Sequence, residues 1–104
     1  MSYAFIQDIP ADAYTYGAVR ARMGDTPPAG LVSHVVIERE EGLRFLDVWE
    51  SEDEWRAFHD NTLIPILSSV FADNGITPDA SKVTHEHVNV VDAWVQAPAQ
   101  LPVA

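Results

Sequence analysis

The stretch LVSHVVIEREEGLRFLDVWESEDE, residues 31–54, decides the fold. Its first part, Leu31 to Glu38, is rich in β-branched residues and reads as a strand. Glu41-Gly42 marks a tight turn, and Leu43 to Trp49 reads as the returning strand of a hairpin. Ser51-Glu52-Asp53-Glu54 then matches a capping box. The Ser51 hydroxyl accepts from the Glu54 amide while the Glu54 side chain reaches back to the Ser51 amide. Acidic residues in that first turn suit the helix dipole. A helix therefore starts at Glu52, with Trp55, Phe58 and Leu63 or Thr62 on its buried stripe.

Toward the N-terminus, Tyr3 to Asp8 is short and aromatic-rich, with Pro10 following, and reads as a strand. Ala11 to Met23 places Ala13, Tyr16, Val19 or Arg20, and Met23 on a 3–4 spacing, which predicts a helix. Asp12 can cap its first turn, and Gly24 lies just past its end. Toward the C-terminus, Pro65 cannot donate to the carbonyl four residues back, so a kink or restart is expected near Thr62. The helix resumes over Ile66 to Ala72 and ends at Asn74-Gly75. Val83 to Val91 reads as the last strand. From Ala97 onward, Pro98 and Pro102 predict an extended arm, with Trp94 as its anchor, which leaves residues 1–96 as one domain. The order βαββαβ has a well-known α+β solution: a ferredoxin-like antiparallel sheet with both helices on one face.

Composition sets the outer limits. Apolar residues make up 47% of the 104, a globular fraction. Six basic against sixteen acidic residues give a formal net charge of −10, which works against nucleic acid or an anionic membrane as partner. There is no cysteine, so thiolate chemistry and disulfides are excluded. No apolar run approaches a membrane span, and Met1-Ser2-Tyr3 lacks the character of a signal peptide, so a cytoplasmic location is expected.

Side chains alternate along a strand, so each strand divides into two sets. One set holds Ala4 and Ile6; Ser33, Val35 and Ile37; Arg44, Leu46 and Val48; Thr84, Glu86, Val88 and Val90. The other holds Tyr3, Phe5 and Gln7; His34, Val36 and Glu38; Phe45, Asp47 and Trp49; His85, His87, Asn89 and Val91. The first, mainly aliphatic, set suits packing beneath the helices. The second carries too many rings to lie open to water. It is expected to face a second copy of the chain, enclosing an aromatic, histidine-bearing cavity.

The runs Pro28 to His34 and Gly42 to Ser51, followed by Trp55, Phe58 and Leu63 to Leu67, resemble the dimeric α+β barrel proteins related to the antibiotic-biosynthesis monooxygenases. The Trp49-Glu50-Ser51 junction is the most specific part, and Tyr16 stands where such chains tend to carry a helix tyrosine. The resemblance implies an obligate homodimer whose sheets close into a barrel. It also implies, among other activities, cofactor-free oxygenation of polycyclic phenols, with Trp49, Gln7 and Asn89 available as pocket tryptophan and polar anchors. Haem-degrading members are matched less well. Counted from Trp49, their tryptophan and histidine positions hold Phe58 and Ser68, and their strand-1 asparagine falls near Gln7.

Three constellations carry chemistry. His34 and Asp47 on adjacent strands make an acid–base pair suited to taking a proton from a phenol or enol, against the plainer reading of a satisfied polar pair in the wall. Trp49 can stack on a flat ligand or simply fill the core. His85 and His87 on one side of a strand are a usable metal pair, which His34, Glu38 or Asp47 could complete; the resemblance to the barrel family implies that His34 would do so across the dimer; ordinary pocket histidines are the plainer alternative. The reading reached is a pocket bounded by the sheets and helices of a dimeric barrel, binding a small aromatic or apolar molecule. The expected catalytic pair is His34 and Asp47. Gln7, Phe45, Trp49, Phe58, His85, His87 and Asn89 are the expected ligand contacts, with no cofactor. A non-enzymatic dimeric module, or a metal-dependent enzyme using His85 and His87, are the alternatives.

Overall fold

The hairpin around Gly42 is present in the computed structural model, which describes residues 2–95. The arm expected at residues 97–104 lies outside them. β1 (Tyr3–Ile9) precedes the hairpin, whose strands are β2 (Leu31–Arg39) and β3 (Gly42–Trp49). β2 and β3 pair antiparallel, with His34 opposite Asp47 and Val36 opposite Phe45. Gly42 sits at φ 140°, and a Cβ there would collide with the Ile9 carbonyl oxygen, so this turn requires glycine. The register shifts between Leu31 and Ser33, where the strand begins.

β1 pairs with β3 on one side and with β4 (Thr84–Val88) on the other. The sheet order is β2-β3-β1-β4 and every pairing is antiparallel, which is the ferredoxin-like arrangement. β4 is shorter than the sequence predicts. Asn89 lies beyond its last residue and is exposed. Trp94 is exposed too, its indole donating to Asp92, and it anchors nothing among the described residues.

The helices begin where their caps place them. α1 (Ala13–Met23) starts with the Asp12 carboxylate accepting from the Thr15 amide at 2.8 Å. It ends at Gly24, with φ 79°. α2 (Glu52–Phe58) starts with the Ser51 hydroxyl accepting from the Glu54 amide at 3.2 Å. The second half of the predicted box differs: the Glu54 carboxylate meets the Ser51 hydroxyl, at 3.4 Å, in place of the amide. The break expected from Pro65 takes the form of a wide π turn over His59–Leu63, leading into α3 (Ile64–Asp73). The Ile64 amide donates five residues back, to His59, and Pro65 has no amide hydrogen to restore the tighter pattern. Arg22 ties α1 to α3 through Asp73 (2.6 Å) and Ser69 (2.7 Å). No helix among the described residues is long and apolar enough to cross a membrane.

Both helical segments cover one face of the sheet, and it is the face opposite to the one expected. Tyr16 of α1 packs on Phe45 and His34. Trp55 of α2 packs on Tyr3, Phe5 and His85, and Phe58 on Trp49. The ring-bearing set therefore lies under the helices, where aromatic residues from the helices meet those of the strands. The aliphatic set faces outward, with Val35 48% and Ile37 41% exposed. The core between the layers is built from Phe5, Leu43 and Trp49 of the sheet with Val19 of α1 and Val70 of α3.

Candidate functional site

The β2–β3 register sets His34 beside Asp47, and their side chains meet, Nδ1 to Oδ1 at 2.6 Å. Trp49 lies two residues farther along β3, hence on the same face. Its indole N–H donates to the other carboxylate oxygen at 3.1 Å. From the covering helix, the Tyr16 hydroxyl stands 2.9 Å from His34 Nε2. Phe45 presents itself edge-on to both the Tyr16 ring (5.7 Å) and the His34 ring (5.6 Å). Four polar side chains thus form one line, Tyr16–His34–Asp47–Trp49.

Donor and acceptor capacities fix the direction of that line. An indole nitrogen only donates and a carboxylate only accepts. His34 in its neutral form therefore carries its proton on Nδ1, facing Asp47, and receives the Tyr16 hydroxyl at Nε2. This tautomer is assigned from the hydrogen-bond network. Burial pushes the Tyr16 phenol up from its ordinary value, opposed by the nearby Arg20 charge and reinforced by Asp47, so Tyr16 keeps its proton at neutral pH. The Asp47 side chain is 7% exposed and that of His34 28%, so the network runs from the core outward.

Trp49 is 1% exposed and its ring lies 5.4 Å from Phe58. Together they fill the space under the helices. Trp49 is a core residue that aims Asp47, not an open platform for a ligand. The concavity at this end of the molecule runs along α1, where Tyr16, Gly17, Arg20, Ala21, Gly24 and Asp25 line an open groove of about 420 Å³.

The remaining expected contacts fall elsewhere. Gln7 is half-buried on β1, opposite Phe45 on one side and His85 on the other. His85 and His87 form a second cluster at the far edge of the sheet. The Tyr3 hydroxyl meets His85 Nε2 at 2.9 Å, Phe5 stacks on His85 at 4.4 Å, and Tyr3 stacks on His87 at 5.3 Å. Burial, then the neighbouring His59 and His87, hold the His85 imidazole below its ordinary value. One ring nitrogen of His85 is already taken. Among the described residues no three His, Asp or Glu side chains are placed to hold a metal. His34 sits on the opposite edge strand, and all three histidines point to the helices. The completion of a metal site across a sheet-to-sheet dimer is therefore lost.

No protein-family model and no curated protein matches the sequence. Solved structures do match. A protein from Chloroflexus aurantiacus J-10-fl, provisionally named an antibiotic biosynthesis monooxygenase, aligns with a TM-score of 0.59 at 18% identity, over 91% of this chain and 98% of that one. A protein of unknown function from Nitrosomonas europaea aligns with a TM-score of 0.58 at 14% identity, over 93% and 96%. The chain has the antibiotic biosynthesis monooxygenase-like fold. At these identities the likeness is one of fold, and residue roles must come from the site itself.

Within this monooxygenase-like fold, the residue that sequence reasoning undervalued is Tyr16. Its place on the α1 stripe was legible from the spacing. What it touches was not, because that depends on which sheet face the helix covers. Trp55 was read as plain core, yet it bridges β1 and β4 through Tyr3, Phe5 and His85.

Proposed function

We propose that the chain binds a small hydroxylated aromatic molecule at the outer end of the Tyr16–His34–Asp47 line and prepares it for reaction with oxygen without a cofactor. The observation that carries this reading is a part-exposed imidazole locked in one tautomer by a buried carboxylate, with its acceptor nitrogen meeting the Tyr16 hydroxyl. That is the equipment of a general base. A phenol that loses its proton becomes electron-rich enough to react with dioxygen. Phenol plus dioxygen then gives quinone plus water, and oxygen is the sole co-reactant. The shared fold with a structure provisionally named a monooxygenase supports the same class of reaction.

The open face belongs to the same proposal. Val35, Ile37, Leu46, Val48, Ile6 and Val88 form an aliphatic surface that a second copy would cover, sheet against sheet. The proposed homodimer is then a barrel closed by aliphatic faces, with one proton-handling site under the helices of each subunit, working in the cytoplasm. The test is oxygen uptake across a panel of polyphenols and quinols. Turnover of at least one compound, lost in His34→Gln, is expected; no uptake and no binding across the panel overturns the reading. A second reading, a dimer with no ligand, is favoured by the filling of the interior with Trp49 and Phe58. It predicts a stable dimer that binds none of the panel.

A further inference from the structure

Both ring nitrogens of His34 are engaged, Nδ1 by Asp47 at 2.6 Å and Nε2 by the Tyr16 hydroxyl at 2.9 Å. Asp47 is buried, and its two oxygens are met by His34 and by Trp49. Neither can receive a substrate without dismantling the line. A phenol oxygen carries one proton and two lone pairs. With its proton directed at His34, the Tyr16 oxygen keeps room to accept one more hydrogen bond. Tyr16 is also the member of the line that borders the open groove along α1, beside Arg20.

We infer that Tyr16 is the catalytic residue that meets the substrate, and that the Tyr16 hydroxyl relays a proton from a phenol or enol seated in the α1 groove to His34. The inference rests on the proton-abstraction reading above and changes which side chain touches the ligand. The substrate O–H bond breaks and its proton joins the Tyr16 oxygen. In the same movement the Tyr16 O–H bond breaks and its proton joins His34 Nε2. The substrate becomes an oxyanion, His34 an imidazolium held by the Asp47 carboxylate, and Tyr16 is restored. One proton has moved and no electron has. Of the two charges lining the groove, Arg20, which also donates to the Gly24 carbonyl at 2.6 Å, favours the oxyanion that results, and Asp25 opposes it. A phenol kept protonated by burial suits a relay, since it must give a proton as it takes one.

The probe is 4-nitrophenol, whose ionised form is yellow, used at a pH where the free probe is mostly protonated. Ring-nitrogen NMR of His34 is read alongside. Wild type is expected to bind the probe, ionise it and show the His34 imidazolium. His34→Gln keeps the Tyr16 contact but has no base to take the proton, so it is expected to leave the probe colourless and to lose only the share of affinity that ionisation adds in wild type. Tyr16→Phe keeps the ring packed on His34 and Phe45 but loses the contact. It is expected to bind roughly tenfold more weakly, the cost of one hydrogen bond, and to leave the probe colourless. Ionisation that survives in Tyr16→Phe puts His34 directly on the ligand and overturns the relay, while proton abstraction stands. Ionisation that survives in His34→Gln overturns the relay by a route independent of Tyr16→Phe, because the proton then has another acceptor. No binding by wild type overturns the relay and the reading beneath it together.

Discussion

Asp47→Asn reverses the direction of the hydrogen-bonded line while keeping its shape. Asp47 accepts from two sides, from His34 Nδ1 at 2.6 Å and from the Trp49 indole at 3.1 Å. An amide has one acceptor and one donor end. The indole can only donate and is fully buried, so the amide oxygen turns to Trp49. The NH₂ group then faces His34 Nδ1, which must give up its proton to accept. The His34 proton moves to Nε2, which now donates to the Tyr16 oxygen and can no longer receive from it. Two hydrogen bonds to a charged acceptor, at about 1.5–3 kcal/mol each, become neutral ones of about 0.5–1.5 kcal/mol. Relief from burying a charge returns part of the loss. The net destabilisation is about 1–2 kcal/mol. With an m-value of about 1 kcal/mol/M, the urea midpoint falls by about 1–2 M. Ring-nitrogen NMR should show the tautomer exchanged, and ionisation of a bound phenol should disappear. An unchanged His34 tautomer, or a midpoint within error of wild type, would refute the role given to Asp47. Asp47→Ala should cost more than Asp47→Asn, because it strands the Trp49 N–H without an acceptor.

Three further outcomes rest on other parts of the molecule. Gly17 lies within α1 with ordinary helical backbone, and a Cβ there meets nothing within 4 Å, so Gly17→Ala should stabilise by about 0.5–1 kcal/mol in a thermal melt. The His85 imidazole is held below its ordinary value of about 6.5, so the unfolded chain takes up that proton first as pH falls. Stability from this group is complete above about pH 6.5 and is lost on acidification toward the lower folded value, and His85→Gln should flatten that part of a stability–pH curve. Ile37→Lys places a charge on the outward aliphatic face; if the proposed sheet-to-sheet dimer forms, sedimentation should find paired subunits for wild type and single folded subunits for the variant, and an equally stable dimer in the variant would exclude this face as the interface.

Much of the architecture can be read from local signals that agree with one another. The Ser51 cap, the Asp12 cap and the glycine turn at Gly42 each mark an element boundary, and all three are realised. The pairing of His34 with Asp47 follows from the hairpin register alone. What alternation cannot state is which of two faces a helix will cover. The aliphatic set looked like core because aliphatic residues usually are. The helices, however, present Tyr16, Trp55 and Phe58, and rings find rings. The signal was available in those helical stripes, not in the strands. Asn89 was misplaced for a different reason. The β-rich run continues past Val88, but the pairing with β1 stops at Ala4–Val88, one step short of setting Asn89 beside Tyr3.

The wide turn before Pro65 has a consequence for the length of the segment that holds it. At about 100° per residue, the twelve steps from Phe58 to Val70 would leave the two side chains about 120° apart around a regular helix axis. Treating one residue of the turn as surplus reduces that to about 20°, which puts the fully buried Val70 back in phase with Phe58. The turn thus takes up one residue more than a regular helix would hold. A chain shortened by one residue at Asn61 would keep Phe58 and Val70 in step as an ordinary helix. A chain lengthened there would swing Val70 out of the core and carry Asp73 away from Arg22.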